Sequence, residues 1–164
     1  FSATIDDRVE GIARTFMTNP LKISVKTGAT AQNVDQDVVR LAGSDKISVL
    51  KELLKQQRFQ KVLIFGQTKY GVEKLSVTLS QNGFSVGAIH GNKRQSQRQR
   101  VLNDFKTNRI NILVATDVAA RGIDVKDITH VINYDQPDTY ADYIHRIGRT
   151  GRAGKIGQAL TFVE

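Results

Sequence analysis

The sequence has no cysteine and no tryptophan, and it contains only two prolines and three histidines among its 164 residues. The lack of cysteine excludes disulfide bonds and thiolate metal sites within this sequence. His90, His130 and His145 are scattered without the spacing of zinc ligands, so no metal site is expected. No apolar run approaches the roughly 20 residues of a membrane-spanning helix, and no signal-peptide pattern is present. The sequence therefore predicts a cytoplasmic protein without membrane contact.

Positive charge is abundant: 24 Lys and Arg against 16 Asp and Glu give a formal net charge of +8. This excess favours a polyanionic partner such as nucleic acid, although basic surfaces also keep proteins in solution. The hydrophobic content of 40% is enough, at this length, for one good core. Because the chain begins with Phe1 and not with methionine, we expect a fragment or a processed chain.

The densest cationic stretch lies near the C-terminal end, where arginines alternate with glycines at a spacing of three. It reads His145-Arg146-Ile147-Gly148-Arg149-Thr150-Gly151-Arg152-Ala153-Gly154. Guanidinium groups match phosphate oxygens, and glycines let backbone N–H groups approach a ligand closely. Apolar residues on both sides indicate that the stretch lies inside a folded domain and is not a flexible tail. The sequence therefore predicts a phosphate-binding segment.

Short apolar stretches alternate with amphipathic helical patterns through most of the chain. Strands are predicted at Val38–Leu41, Val62–Phe65, Val86–Ile89, Ile110–Ala115, from Val131 onward, and at Ala159–Val163. Ser44 is the expected N-cap of the first intervening helix. This alternation predicts an α/β fold with a mostly parallel sheet covered by helices on both faces. Ligands of such sheets bind at the carboxyl ends of the strands, so one edge is expected to carry the chemistry.

The first residues have a different pattern. Residues 6–18 have apolar side chains at helical spacing, and Leu21, Ile23 and Val25 alternate as in a strand. The stretch from 26 to 36 is small, polar and without periodicity, which indicates a linker. A boundary between two units is therefore predicted there.

These stretches together resemble the second RecA-like domain of the DEAD-box ATP-dependent RNA helicases, with a three-layer fold. Val62–Lys69 resembles motif IV, Gln95–Arg98 the QxxR motif, Ala115–Asp124 motif V and His145–Arg152 motif VI. Ser2, Ala3 and Thr4 resemble motif III, which closes the first RecA-like domain. The resemblance implies the end of that first domain in residues 1–26, an interdomain linker in 27–36 and the second domain in 37–164. The loop at 90–93 is similar to that of bacterial RhlE-type members.

The resemblance implies half of an ATP site, with ATP and Mg²⁺ bound mainly by the missing first domain. Arg149 and Arg152 resemble arginine fingers that reach the γ-phosphate across the interdomain cleft. Asp124 resembles the residue that accepts a hydrogen bond from the ribose, and Gly122 offers a backbone contact. Arg121 either faces the cleft or braces its own loop through a carboxylate.

The resemblance also implies an RNA site. Gln95 and Arg98 share one face of a helix's first turns, where side chain and helix dipole address the same phosphate. Asp117 can accept from a 2′-OH, the group that separates RNA from DNA. The other expected contacts are backbone and hydroxyl groups, at Thr68, Gly91 and Thr116. Such contacts read few bases, so binding should be sequence-tolerant and salt-sensitive.

Coupling between the two sites is also implied by the resemblance. Ser2 and Thr4 belong to motif III, and His145 resembles the residue that links motif VI to motif III and RNA. Phe65 is expected mostly in the core, where the family's motif IV phenylalanine also packs against the arginine fingers.

Two catalytic motifs are absent from the sequence. No Asp-Glu-Ala-Asp stretch occurs, and Lys155 is followed by Ile156 where a P-loop has Ser or Thr. The chain alone is therefore expected to be inactive, as the C-terminal half of an enzyme that unwinds short RNA duplexes. A superfamily 2 DNA helicase domain and a non-catalytic nucleic-acid binding module are the alternatives.

Apolar side chains in residues 1–26 would normally complete a first domain that this chain lacks. Exposed apolar surface of that kind tends to be covered in soluble proteins, and an unpaired strand is a template for pairing. We therefore expect this segment to dock on a second copy, which predicts a dimer.

Overall fold

The computed structural model describes residues 33–164 together with Gly11, Thr15 and Phe16. Those three residues are helical, as the spacing in residues 6–18 predicts. The rest of that helix, the strand from Leu21 to Val25, the motif III residues Ser2 and Thr4 and the expected dimer contact lie outside the described residues.

Strands and helices alternate through the whole of the described domain. In chain order they are β1 Val34–Arg40, α1 Lys46–Leu54, β2 Val62–Phe65, α2 Lys69–Gln81, β3 Val86–Ile89, α3 Gln95–Lys106, β4 Ile112–Ala115, α4 Asp117–Ala120, β5 His130–Asn133, α5 Tyr140–Ile147 and β6 Gly157–Val163. None of these helices is long and apolar enough to cross a bilayer, and the cytoplasmic location stays a prediction.

The sheet has six strands in the order β1-β6-β5-β2-β4-β3, and every neighbouring pair is parallel. The predicted α/β fold is confirmed. At the centre, Phe65 is in register with Ala115 on one side and with Asn133 on the other. The strands therefore end together, and the loops after β2, β3, β4 and β5 emerge at one carboxyl edge.

Side chains alternate between the two faces of β2, which places a core on each side of the sheet. Ile64 packs in one buried cluster with residues of α1 and α2, including Leu50 and Val72. Phe65 packs in the other cluster, with Phe105 of α3 and Ala119 of α4. Helices therefore cover both faces, as the continuous apolar strands predict.

β4 begins at Ile112 and β6 at Gly157, each two residues from its predicted start, and two further differences have a clear physical cause. β1 begins at Val34, so the last residues assigned to the linker pair with β6 from Gly157 onward. Most side chains of β1 are exposed on the edge of the sheet, so backbone pairing holds the strand without an apolar pattern. The N-cap of α1 is Asp45 and not Ser44, because the Asp45 carboxylate accepts the Ser48 N–H at 2.9 Å.

Candidate functional site

Two threonines and a glycine lie along the carboxyl edge of the sheet. Thr68 is the N-cap of α2 and accepts the Gly71 N–H at 3.0 Å, and Thr116 is the N-cap of α4. Gly91 follows β3 and is exposed, with no atom within 4 Å of the place where a Cβ would lie. Its N–H makes no hydrogen bond within residues 33–164. This edge therefore offers donors to a ligand that approaches from solvent.

The start of α3 is incompletely bonded. Its N-cap is Arg94, whose own N–H donates to Gln97 Oε1 at 2.9 Å, but whose side chain has no acceptor for the first-turn N–H groups. Arg98 makes only long hydrogen bonds, at 3.5 Å to Gln95 Oε1 and 3.4 Å to the Ala119 carbonyl. Its Nε is buried and lacks a partner in the described part of the chain. Free N–H groups, the positive end of the helix dipole and a loosely held guanidinium together suit an anion.

Arg146 is one of the three arginines of the cationic stretch, yet it is only 2% exposed. Its Nε and Nη2 donate to the two Asp117 carboxylate oxygens, both at 2.7 Å. Its Nη1 donates at 2.6 Å to the Asp135 carbonyl and at 3.3 Å to Asn133 Oδ1. The guanidinium also lies 5.2 Å from the centre of the Phe65 ring. Arg146 therefore holds α4, α5 and the loop after β5 together, and it is not free to bind phosphate.

This buried contact bears on two expectations. The carboxylate brace considered for Arg121 belongs to Arg146, since Arg121 is exposed and makes no ion pair within the described residues. Asp117 already accepts two hydrogen bonds, although its side chain is one-third exposed and each oxygen keeps a further lone pair. Its contact with a ribose 2′-OH stays a prediction.

Arg149, Arg152 and Asp124 meet just beyond the end of α5. Arg149 Nη1 donates to the Ile123 carbonyl at 2.9 Å, and Arg152 Nε donates to the Gly148 carbonyl at 2.8 Å. Arg152 Nη1 also lies 3.4 Å from Asp124 Oδ1. Burial, followed by the charge of Arg152, lowers the pKa of the Arg149 guanidinium, which nevertheless stays charged. The two arginines predicted to bind phosphate and the aspartate predicted to bind the ribose therefore lie together.

These arginines do not lie at the carboxyl edge, contrary to the expectation that one edge carries the chemistry. Thr150 Oγ1 hydrogen-bonds to the Ile128 carbonyl, just before the first residue of β5. The loop then enters β6 at Gly157. It therefore runs beside the amino edge, and α5, about 12 Å long, separates it from the carboxyl edge.

A shallow cleft connects the carboxyl edge of the sheet with the loop after α5. Phe65, Asp117 and Arg146 line it together with His145 and Arg149. Phe65 is buried in the core as expected, and its ring packs against the Arg146 guanidinium. Contact between Phe65 and a predicted finger stays a prediction. His145 is exposed and open to a partner.

The described residues contain no group of three His, Asp or Glu side chains that could hold a metal ion. The loop after α5 instead suits the polar parts of a nucleotide. Two guanidinium groups match phosphate oxygens, and the Asp124 carboxylate, with a 72% exposed side chain, can accept from a hydroxyl. Gly122 has a φ of +79°, which favours glycine at this turn.

Residues 45–154 match the family model of the helicase conserved C-terminal domain. The chain belongs to this family. The helicase C-terminal domain is 46% identical over its whole length to the ATP-dependent RNA helicase CshA of Listeria monocytogenes, and it covers 32% of that protein. It is also 46% identical to the DEAD-box ATP-dependent RNA helicase CshA of Bacillus cereus, of which it covers 31%. The chain thus spans about a third of these relatives' length.

Comparison with solved structures gives the same family. The DEAD-box protein SrmB of E. coli, bound to the regulator of ribonuclease activity A, has a TM-score of 0.75 and 38% identity, over 80% of this chain and 78% of that one. Dbp5 of S. cerevisiae, bound to RNA and ADP BeF3, has a TM-score of 0.80 and 35% identity, over 100% of this chain and 44% of that one. The helicase C-terminal domain is therefore of the DEAD-box type, with the RecA-like fold that the sequence predicts.

Proposed function

We propose that the chain is the second RecA-like domain of an ATP-dependent RNA helicase that unwinds short duplexes. It contributes an RNA-binding edge and part of an ATP site in the cleft shared with a first RecA-like domain. The RNA contacts are Thr68, Gly91, Gln95, Arg98, Thr116 and Asp117. The nucleotide contacts are Gly122, Asp124, Arg149 and Arg152, with Arg121 exposed beside them.

The observation that carries this proposal is the assembly of Asp124, Arg149 and Arg152 on one surface, in a chain whose relatives are DEAD-box helicases. Cations at a phosphoryl group stabilise the charge that develops during its transfer. ATP with Mg²⁺, held mainly by the first domain, would supply that phosphoryl group. The two arginines are the catalytic residues of this half.

RNA binding is supported by the distribution of free donors at the carboxyl edge. The Gly91 N–H is unbonded within residues 33–164, the N-cap residue of α3 has no side-chain acceptor for the first-turn N–H groups, and Arg98 is loosely held. All three would contact the phosphate backbone, which carries no direct sequence information. His145 and Phe65 line the cleft between this edge and Arg149, which suits a role in coupling RNA to nucleotide.

The test measures binding of fluorescent single-stranded RNA by the purified chain over a range of salt concentrations. Arg98→Ala is expected to weaken binding about tenfold or more, because a charge-assisted hydrogen bond is lost. It should also reduce the salt slope by about 0.7, the value for one phosphate of a single strand. Arg109→Ala removes the same charge beyond the far end of α3, from an exposed residue whose ion pair within residues 33–164 is with Asp104, and should change little.

The same titration, repeated with several RNA sequences and with DNA of matching sequence, separates this proposal from its alternatives. Arg98→Ala should weaken all RNA sequences alike, and a loss confined to one sequence would mean that Arg98 reads bases. Equal affinity for RNA and DNA would favour a DNA helicase domain. RNA-stimulated ATP hydrolysis by the full-length protein separates an enzyme from a binding module.

A further inference from the structure

Glu73 of α2 lies behind the loop that follows β3, and neither the family motifs nor the site above uses it. His90, the first residue of this loop, is only 5% exposed. Its Nε2 lies 2.9 Å from Glu73 Oε2, and the Asn92 N–H lies 3.3 Å from its Nδ1. Because Nδ1 accepts from a backbone N–H, it carries no proton, and the Nε2–H donates to Glu73. This pairing selects one tautomer of His90.

The Glu73 carboxylate also accepts from Lys93 Nζ at 2.9 Å. It therefore joins the first and last residues of the loop, 90–93, to α2. The loop is closed by a hydrogen bond from the Lys93 N–H to the His90 carbonyl at 3.0 Å. The bond from His90, and then that from Lys93, lowers the pKa of the Glu73 carboxyl, which keeps it ionised at neutral pH.

The same helix holds the loop at a third point, since Lys69 Nζ donates to Asn92 Oδ1 at 3.1 Å. Between these pinned residues lies Gly91, with open space beside its Cα and an N–H that has no partner in the described part of the chain. Gly91 has no positive φ and no close neighbour, so the fold itself does not require glycine here. A glycine that the fold does not require, in a loop held on three sides, suits close approach by a ligand.

We propose that Glu73 is a positioning residue for RNA binding: it fixes His90 and Lys93 so that the Gly91 N–H points at a phosphate oxygen of the RNA backbone. The proposal rests on the proposed function. Thr68, the N-cap of α2, then lies on the same rigid helix that holds Gly91, so two backbone-binding groups keep a fixed separation.

The direction of the change in RNA affinity distinguishes a positioning role from a purely electrostatic one. RNA binding by a basic protein strengthens, through electrostatics alone, when an acidic residue is removed. The positioning role gives the opposite result for Glu73→Ala, which should weaken binding about fivefold, the loss of one hydrogen bond. Glu52→Ala removes the same charge from an exposed pair with Lys55 on α1 and should leave affinity equal or slightly higher.

A nitrogen-15 NMR measurement of the histidine rings gives a readout that mere loss of packing would not produce. His90 should show the Nε2–H tautomer in the wild type and in Glu73→Gln, which keeps an acceptor for it. In Glu73→Ala the two tautomers should exchange, because the loop released from α2 also loses the Asn92 N–H contact that keeps His90 Nδ1 without a proton. Glu73→Gln also serves if the alanine variant does not fold, and it should keep most of the RNA affinity.

Glu73→Ala that binds RNA as tightly as the wild type, while Arg98→Ala binds weakly, would overturn the positioning role and leave the RNA edge intact. An unchanged His90 tautomer in Glu73→Ala would overturn it as well. If wild-type protein binds no RNA at low salt, the proposed function itself fails, and this proposal fails with it.

Discussion

The carboxyl edge of the sheet and the loop after α5 differ in how their polar groups are used. At the carboxyl edge, the Gly91 N–H has no partner among residues 33–164, and the hydrogen bonds that Arg98 makes to this part of the chain are long. In the loop, Arg149 donates to the Ile123 carbonyl, and Arg152 contacts both the Gly148 carbonyl and Asp124. The proposed RNA contacts can therefore form directly, whereas the proposed nucleotide contacts of Arg152 and Asp124 require an exchange of partners.

The glycines show the same contrast. A Cβ at Gly91 would meet nothing within 4 Å, whereas a Cβ at Gly151 would lie 2.6 Å from the Asn33 carbonyl oxygen. Gly151 also has a φ of +67°. Glycine in the loop is thus required by packing and backbone conformation, while glycine at the edge leaves space for a ligand. Glycine therefore has a different physical role in each of the two regions.

The largest effect on stability is expected at Arg146, which joins the two regions. Arg146→Ala leaves Asp117 and Asn133 without their donor and removes contact with Phe65. The free energy of unfolding should fall by about 3 kcal/mol, the lower end for a broken buried pair because Asp117 is partly exposed. Urea unfolding followed by circular dichroism measures it.

Arg149→Ala is the matched comparison, since it removes the same group one turn further along. It should cost about 1 kcal/mol or less, because Arg149 makes one hydrogen bond to a carbonyl and is only half-buried. Equal losses for the two variants would contradict the division between a structural and a functional arginine.

A smaller difference in the free energy of unfolding is expected between substitutions at Gly151 and at Gly91. Gly151→Ala should lower the free energy of unfolding by about 2 kcal/mol, because alanine is strained at positive φ and the loop must move from Asn33. Gly91→Ala should change it by less than about 0.5 kcal/mol, as an unhindered surface substitution. RNA titrations should show the reverse order, with Gly91→Ala the weaker binder. Unchanged RNA affinity in Gly91→Ala would contradict close approach at this glycine.

The fold was largely predictable because its central strands are continuous apolar runs. β2, for example, is Val-Leu-Ile-Phe and is buried on both faces. β1 was shorter in the prediction because Asp35, Gln36 and Asp37 carry no apolar signal, and the strand depends on its partner β6. Local capping chemistry also failed to separate Ser44 from Asp45, which are adjacent and equally good caps.

The site was predictable in its residue types but not in its pairings. The arginine-glycine stretch indicated phosphate binding, yet the sequence does not show that Arg146 meets Asp117, 29 residues earlier. One signal was available: Arg146 stands three residues after Tyr143 and next to Ile147, on the apolar side of α5. Tertiary pairing at such separations cannot be read from a single sequence.

The central claim, that Arg149 and Arg152 act on the transferring phosphoryl group while Arg146 supports the fold, is tested most directly in the full-length helicase. RNA-stimulated ATP turnover and nucleotide affinity are measured together for Arg149→Ala and Arg152→Ala, with Arg109→Ala as the control. Turnover should fall about 10³-fold or more, with little change in nucleotide affinity or melting temperature, because the arginines meet charge that develops only in the transition state. Equal losses in binding and turnover, or a loss explained by unfolding, would contradict the account.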